Sequence, residues 1–146
     1  MSDARMVSGS CLCGAVRFTV RLPTLFCGHC HCRMCRRAHG AGYVTWVGVA
    51  RAGFSLDGGA EHLERYRSSE HGTRSFCRRC GSSLTCESTK RPDDVDVVLA
   101  NLDGPIDRAP QAHVYFSDRA QWVEVADGLP RLGGATGMEP LPDEPV

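Results

Sequence analysis

Apolar and polar positions alternate over short stretches of this chain. In GAVRFTVRL (14–22), Val16, Phe18, Val20 and Leu22 share one face, which predicts a half-buried strand that Pro23 ends. YVTWVGVA (43–50) is a second β-rich run. HLERYR (62–67) alternates and is predicted to pair with residues 73–76. Val95, Val97 and Leu99 alternate again, and Asp103-Gly104 supplies a turn. Residues 113–116 form a further short strand, and Cys86 falls on strand-like sequence, where it reads as a small buried hydrophobe. Helical character is confined to residues 35–38 and 118–122. The pattern therefore predicts a mostly β domain of short strands and polar turns.

The expected boundaries are an N-terminal extension over residues 1–8, one domain over 9–131 and an irregular tail over 132–146. The tail is rich in Pro and Gly, so it is expected to be dispensable for folding.

Composition narrows the function classes. Lys plus Arg and Asp plus Glu are 17 each, so formal charge is zero, which disfavours a nucleic-acid partner. No run of about 18 apolar residues is present, and MSDARMVSGS lacks an apolar signal core. No membrane partner and a cytoplasmic location are expected. Nine cysteines are an odd number for a disulfide set, and in a reducing compartment they point to metal. Lys90 is the only lysine. Codon bias explains an Arg-rich chain, and so does bidentate anion binding.

The cysteines fall into two groups. Cys11 and Cys13 form one tight pair, and Cys77 and Cys80, followed by Gly81, form another. Together they offer the four thiolates that structural Zn²⁺ prefers. One metal there would tie the start of the chain to its middle and offset the entropy of closing that long loop. Arg78 and Arg79 stand close enough in sequence to offset the charge. Cys30, Cys32 and Cys35 form the second group, C-x-C-x-x-C. Three protein ligands leave one position for water or substrate, the arrangement of catalytic zinc. A helix starting near Cys32 would aim its positive end at these sulfurs. His31, His29 and Cys27 are candidates to close the fourth position instead. Arg33, Arg36 and Arg37 flank the group and could clamp an anionic thiol substrate, or form a solvated charge cluster. His39 and His113 are candidate bases or ligands, with a structural role the plainer reading.

Several segments together resemble the glutathione-dependent formaldehyde-activating enzyme family, which includes centromere protein V. They are GSCLCGAVRF (9–18), CHCRMCRRAHGAGY (30–43), RSFCRRCGSSL (74–84), ANLDG (100–104), HVYFSDRAQW (113–122) and DGLPR (127–131). The resemblance implies a β-tent fold of packed antiparallel sheets, similar to the Mss4 exchange factor. It implies two Zn²⁺ per chain, a structural one at Cys11, Cys13, Cys77 and Cys80 and a catalytic one at Cys30, Cys32 and Cys35. It also implies a carbon–sulfur lyase that adds glutathione to formaldehyde, so the expected partners are a small thiol and an aldehyde. The alternative is a zinc-stabilised binding module without chemistry, as the Mss4-like fold and centromere protein V allow. A pure staple would need a closed second site, so the three-cysteine group favours the enzyme.

Overall fold

A computed structural model of the protein describes residues 5–142. Residues 1–4 and 143–146, the outer parts of the expected extension and tail, lie outside the described residues. The described residues are mostly β, with packed sheets that are antiparallel except at one edge pair, and one α-helix, in agreement with the fold class read from the sequence.

A small sheet is built from β1 (Met6–Ser10), β2 (Arg17–Arg21) and β5 (Phe54–Gly58), in the order β1-β2-β5. β2 is the first strand expected from the alternation, with Phe18 and Val20 turned inward. β1 begins inside the expected extension. Its Val7 is buried and its register with β2 runs from Met6↔Arg21 to Ser10↔Arg17. Its second inward position is Gly9, where a Cβ would lie 2.5 Å from the Phe18 ring. The close approach that demands glycine also removes the apolar residue that would have marked the strand.

The large sheet contains β3 (Phe26–Cys30), β4 (Val44–Ala50), β6 (Leu63–Arg67), β7 (Gly72–Cys77), β8 (Ser83–Ser88), β9 (Asp94–Val98) and β10 (His113–Val114). Their order is β10-β3-β4-β9-β8-β7-β6. The expected pairing of the 62–67 and 73–76 stretches is present, from Leu63↔Cys77 to Arg67↔Thr73. Period-two alternation gives this sheet two apolar faces. On one, Cys27, Val47, Val49, Leu84, Val95 and Val97 pack against Val7, Phe18 and Val20 of the small sheet. On the other, Cys30, Val44, Trp46, Val98 and Val114 gather with Cys35.

That second face carries α1 (Arg33–His39). Cys32 is its N-cap, with Sγ accepting the Cys35 N–H at 3.3 Å. Gly40 ends it in the left-handed region at φ 59°. The second expected helix, at 118–122, is not formed. A 3-10 turn covers Phe116–Asp118, and Arg119 is already extended. The Asp118 carbonyl, which a continuing helix would need, accepts from Arg36 Nη2 at 2.8 Å. The strand expected at 113–116 is cut to two residues because Tyr115 adopts φ 53°, a left-handed conformation that is rare outside glycine.

The tail departs from expectation as well. β11 (Leu132–Gly133) pairs with β12 (Glu139–Pro140). Leu132 packs on the second apolar face, and the Gly137 carbonyl accepts the Tyr115 N–H at 2.8 Å. Glycine is required at 137, where φ is 76° and a Cβ would strike the Tyr115 ring. The Pro and Gly residues there shape a packed hairpin.

Candidate metal centres

The first cysteine group assembles where the two sheets meet. Cys11 follows β1, Cys77 ends β7, and their sulfurs lie with those of Cys13 and Cys80 within 4.8 Å of one another. Sγ of Cys13 is 3.6 Å from that of Cys11 and 3.8 Å from that of Cys77. A tetrahedron of sulfurs around zinc, with bonds of about 2.3 Å, has edges of about 3.8 Å. The donor type, number and spacing therefore fit zinc. Gly81, at φ 79°, completes the Cys77–Cys80 turn, with its N–H on the Cys77 carbonyl at 2.7 Å. Backbone N–H groups supply the compensating charge. That of Ser82 leads in drawing the Cys80 thiol down to about 5. Burial would raise the Cys11 thiol, but the Val16 N–H, 3.3 Å from its sulfur, and the neighbouring thiols bring it below its ordinary value. Arg78 instead pairs with Glu64 at 3.6 Å.

The second group sits on the opposite face of the large sheet. β3 delivers Cys30, the N-cap delivers Cys32, and the first turn of α1 delivers Cys35, with all three sulfurs within 4.8 Å of one another. Cys35 Sγ also accepts from Trp46 Nε1 and Arg74 Nη2, each at 3.4 Å. Contacts with the Cys30 and Cys32 thiols, followed by Arg74, hold Cys35 down to about 2, while Cys30 is pushed up. A guanidinium thus stands directly behind the trio. Three soft donors with a cation behind them suit a borderline metal with one position left for an outside ligand.

None of the three candidates for a fourth ligand joins this group. Cys27 points into the core between the sheets, where burial raises its thiol. His29 shares its strand face with Cys27, and its Nδ1 meets Thr45 Oγ1 at 2.8 Å. His31 is fully buried, with Nε2 2.8 Å from His113 Nδ1. His113 Nε2 in turn lies 2.8 Å from Asp127 Oδ2. A carboxylate only accepts, so His113 Nε2 donates to it. In the neutral ring His113 Nδ1 then accepts from His31 Nε2–H. Burial, then the neighbouring His113, presses His31 down to about 4, so it stays neutral.

The three flanking arginines separate. Arg33 is exposed on α1. Arg36 is committed to backbone carbonyls, those of His31 at 3.3 Å and Asp118 at 2.8 Å. Arg37 lines a groove of about 590 Å³ beside α1, together with His39, Tyr66, Arg74 and Phe76. His39 stands edge-on to the Trp46 ring, with centroids 5.3 Å apart. Cys86 is half-buried on the same face of the sheet, and burial pushes its thiol up to about 11.

Sequence reasoning missed Arg74. Among the described residues its buried Nε and Nη1 meet no acceptor, and its Nη2 faces the Cys35 sulfur. Its position two residues from Phe76, on the strand face opposite Ser75 and Cys77, was the available signal, since an arginine half-buried there needs an anion. Also missed was Tyr115, held by Gly137, whose hydroxyl is raised by burial and then by the nearby cysteine group.

Comparison with known proteins agrees with this architecture. The sequence pattern of the family described as "Glutathione-dependent formaldehyde-activating enzyme" matches residues 6–118. A Halomonas elongata protein named "Putative glutathione-dependent formaldehyde-activating enzyme" is 32 % identical over 127 residues, covering 82 % of this chain and 81 % of its own. An uncharacterized lyase of Schizosaccharomyces pombe is 31 % identical over 78 residues, covering 52 % of this chain and 53 % of its own. A crystal structure of a Rhodobacter sphaeroides protein superposes with a TM-score of 0.58 at 30 % identity, over 69 % of this chain and 92 % of that one. Among the described residues no helix is long and apolar enough to cross a membrane. With the match spanning both cysteine groups and most of the two sheets, the chain belongs to the glutathione-dependent formaldehyde-activating enzyme family.

Proposed function

We propose that the protein is a two-zinc enzyme of the carbon–sulfur lyase type. It adds a low-molecular-weight thiol, glutathione or a similar anion, to formaldehyde or another small aldehyde. The observation that carries this reading is the three-cysteine group, joined by no fourth ligand-type side chain among the described residues and backed by Arg74. Zinc with an exchangeable position keeps a thiol deprotonated and nucleophilic near neutral pH. The rest belongs to the chain. Cys30, Cys32 and Cys35 would hold that ion, and Cys11, Cys13, Cys77 and Cys80 a structural one. Trp46 and Arg74 fix Cys35 Sγ, so the trio keeps its shape while its outside ligand changes. Arg37 gives the groove an exposed positive charge, which suits a carboxylate of a glutathione-like thiol. In the reaction a sulfur–carbon bond forms, the carbonyl π bond opens, and the thiol proton ends on the former carbonyl oxygen.

The deciding experiment has two readouts. Cobalt-substituted protein should change its visible spectrum when glutathione is added. Carbon-13 NMR with labelled formaldehyde should show the S-hydroxymethyl adduct forming faster than in buffer. A spectrum that ignores thiols, with no acceleration, would support a zinc-stapled binding module instead.

A further inference from the structure

We propose that His29, His113 and Asp127 form a third site, for a labile divalent metal ion of the zinc, iron(II) or cobalt(II) class. Alternation along β3 turns Cys30 to one face and His29 to the other. β10 runs parallel to β3 with His113 opposite His29, and the two rings lie 4.9 Å apart, tilted at 32°. Asp127 closes the third side. One nitrogen from each ring and one carboxylate oxygen lie within 4.8 Å of one another.

Each histidine is oriented as a ligand would be. Nδ1 of His29 is held by Thr45 Oγ1, which leaves Nε2 for a metal. Nδ1 of His113 is held by His31, which leaves the Nε2 that meets Asp127. Ligating imidazoles are commonly fixed through their second nitrogen in this way. His113 is 1 % exposed and the Asp127 side chain 41 %, so the site has a buried floor and an open rim. Two imidazoles and one carboxylate select borderline ions over calcium or magnesium, which prefer oxygen alone.

Occupancy would reverse the hydrogen-bond chain behind the site. The proton on His113 Nε2 gives way to the metal, and the neutral ring carries its proton on Nδ1 instead. That N–H donates to His31 Nε2, so the His31 proton moves to Nδ1, with no net proton released. His31 Nδ1 is buried without an acceptor. The orphaned N–H opposes binding, so this ion is held less tightly than one held by thiolates.

The test starts from full-length protein whose cysteine sites are already filled with zinc, and adds Zn²⁺. Calorimetry should show one further equivalent per chain. Nitrogen-15 NMR should show His113 and His31 both changing from Nε2–H to Nδ1–H. Asp127→Asn and His29→Ala should each weaken the extra equivalent at least tenfold and leave the sulfur-bound zinc intact. Asp127 lies at the surface, so its variant decides the matter if His29→Ala folds poorly. No extra equivalent, or one that Asp127→Asn leaves unchanged, overturns the proposal. The outcome is independent of whether the cysteine site carries out thiol addition.

Discussion

Replacing Cys77 and Cys80 together by serine removes half of the four-sulfur group that gathers where the small sheet meets the large one. The sulfurs of Cys13 and Cys77 belong to residues 64 positions apart. Cross-linking a loop of that length removes chain entropy worth about 4 kcal/mol from the unfolded state. A domain of this size has a total stability of about 5–15 kcal/mol. At roughly 4 °C per kcal/mol, the double variant should melt about 15 °C lower and contain one zinc fewer. The lost metal–sulfur bonds add to that effect, so the figure is a lower bound. Zinc content by mass spectrometry and melting by circular dichroism on the same sample provide the check. If the zinc is lost and the midpoint stays within about 2 °C of wild type, the interface of Val7, Phe18, Val47 and Val95 holds the sheets alone, and the staple argument fails.

Four other outcomes follow from the geometry. Cys32→Ser should cost the second zinc and any thiol–aldehyde activity but move the midpoint by only a few degrees, since serine keeps the N-cap of α1; a collapse of the fold in a melting curve would contradict this. Truncation after Arg131 should lower the midpoint by about 10 °C, because it strips Leu132 from the core and the Gly137 carbonyl from Tyr115, together about 3 kcal/mol; an unchanged curve would restore the dispensable tail expected from its composition. Arg37→Ala should weaken glutathione binding by about 1–3 kcal/mol while Arg33→Ala leaves it unaltered, and equal effects in a binding titration would move the substrate out of the groove. In the metal-loaded protein every cysteine should resist alkylation at neutral pH: seven are ligands, Cys27 is buried with a raised thiol, and Cys86 titrates at about 11. Rapid labelling of Cys30, Cys32 or Cys35 in a mass-spectrometric time course would show that group to be free of metal.

What the sequence reveals depends on whether a side chain advertises its neighbour. The central strands were legible because Val47, Val49, Val95 and Val97 repeat at the sheet's own period and are buried for that reason. The gathering of both cysteine groups was legible because their members come in tight local clusters. β1 and β3 were not, since Gly9 and Gly28 stand at positions where an aromatic ring occupies the room of a Cβ. The partition of Arg33, Arg36 and Arg37 was hidden too. It depends on the Asp118 carbonyl, supplied by a turn far along the chain. The Asp127–His113–His31 chain spans three segments that no spacing relates.

β9 is synthesised after both strands that flank it. In the finished sheet it lies between β4 and β8, and its pairing with β4 runs from Trp46↔Val98 to Ala50↔Asp94. Until it emerges, the N-terminal strands and the β6–β8 meander lack the strand that joins them in the finished sheet. The four sulfurs of the first group are all on the chain by Cys80, before β9 exists. An ion captured at that moment would hold the two halves at their final spacing. β9 would then enter a prepared slot instead of competing with collapse of its neighbours. Metal supply during translation would in that case govern the yield of native protein, apart from any effect on the stability of the finished molecule.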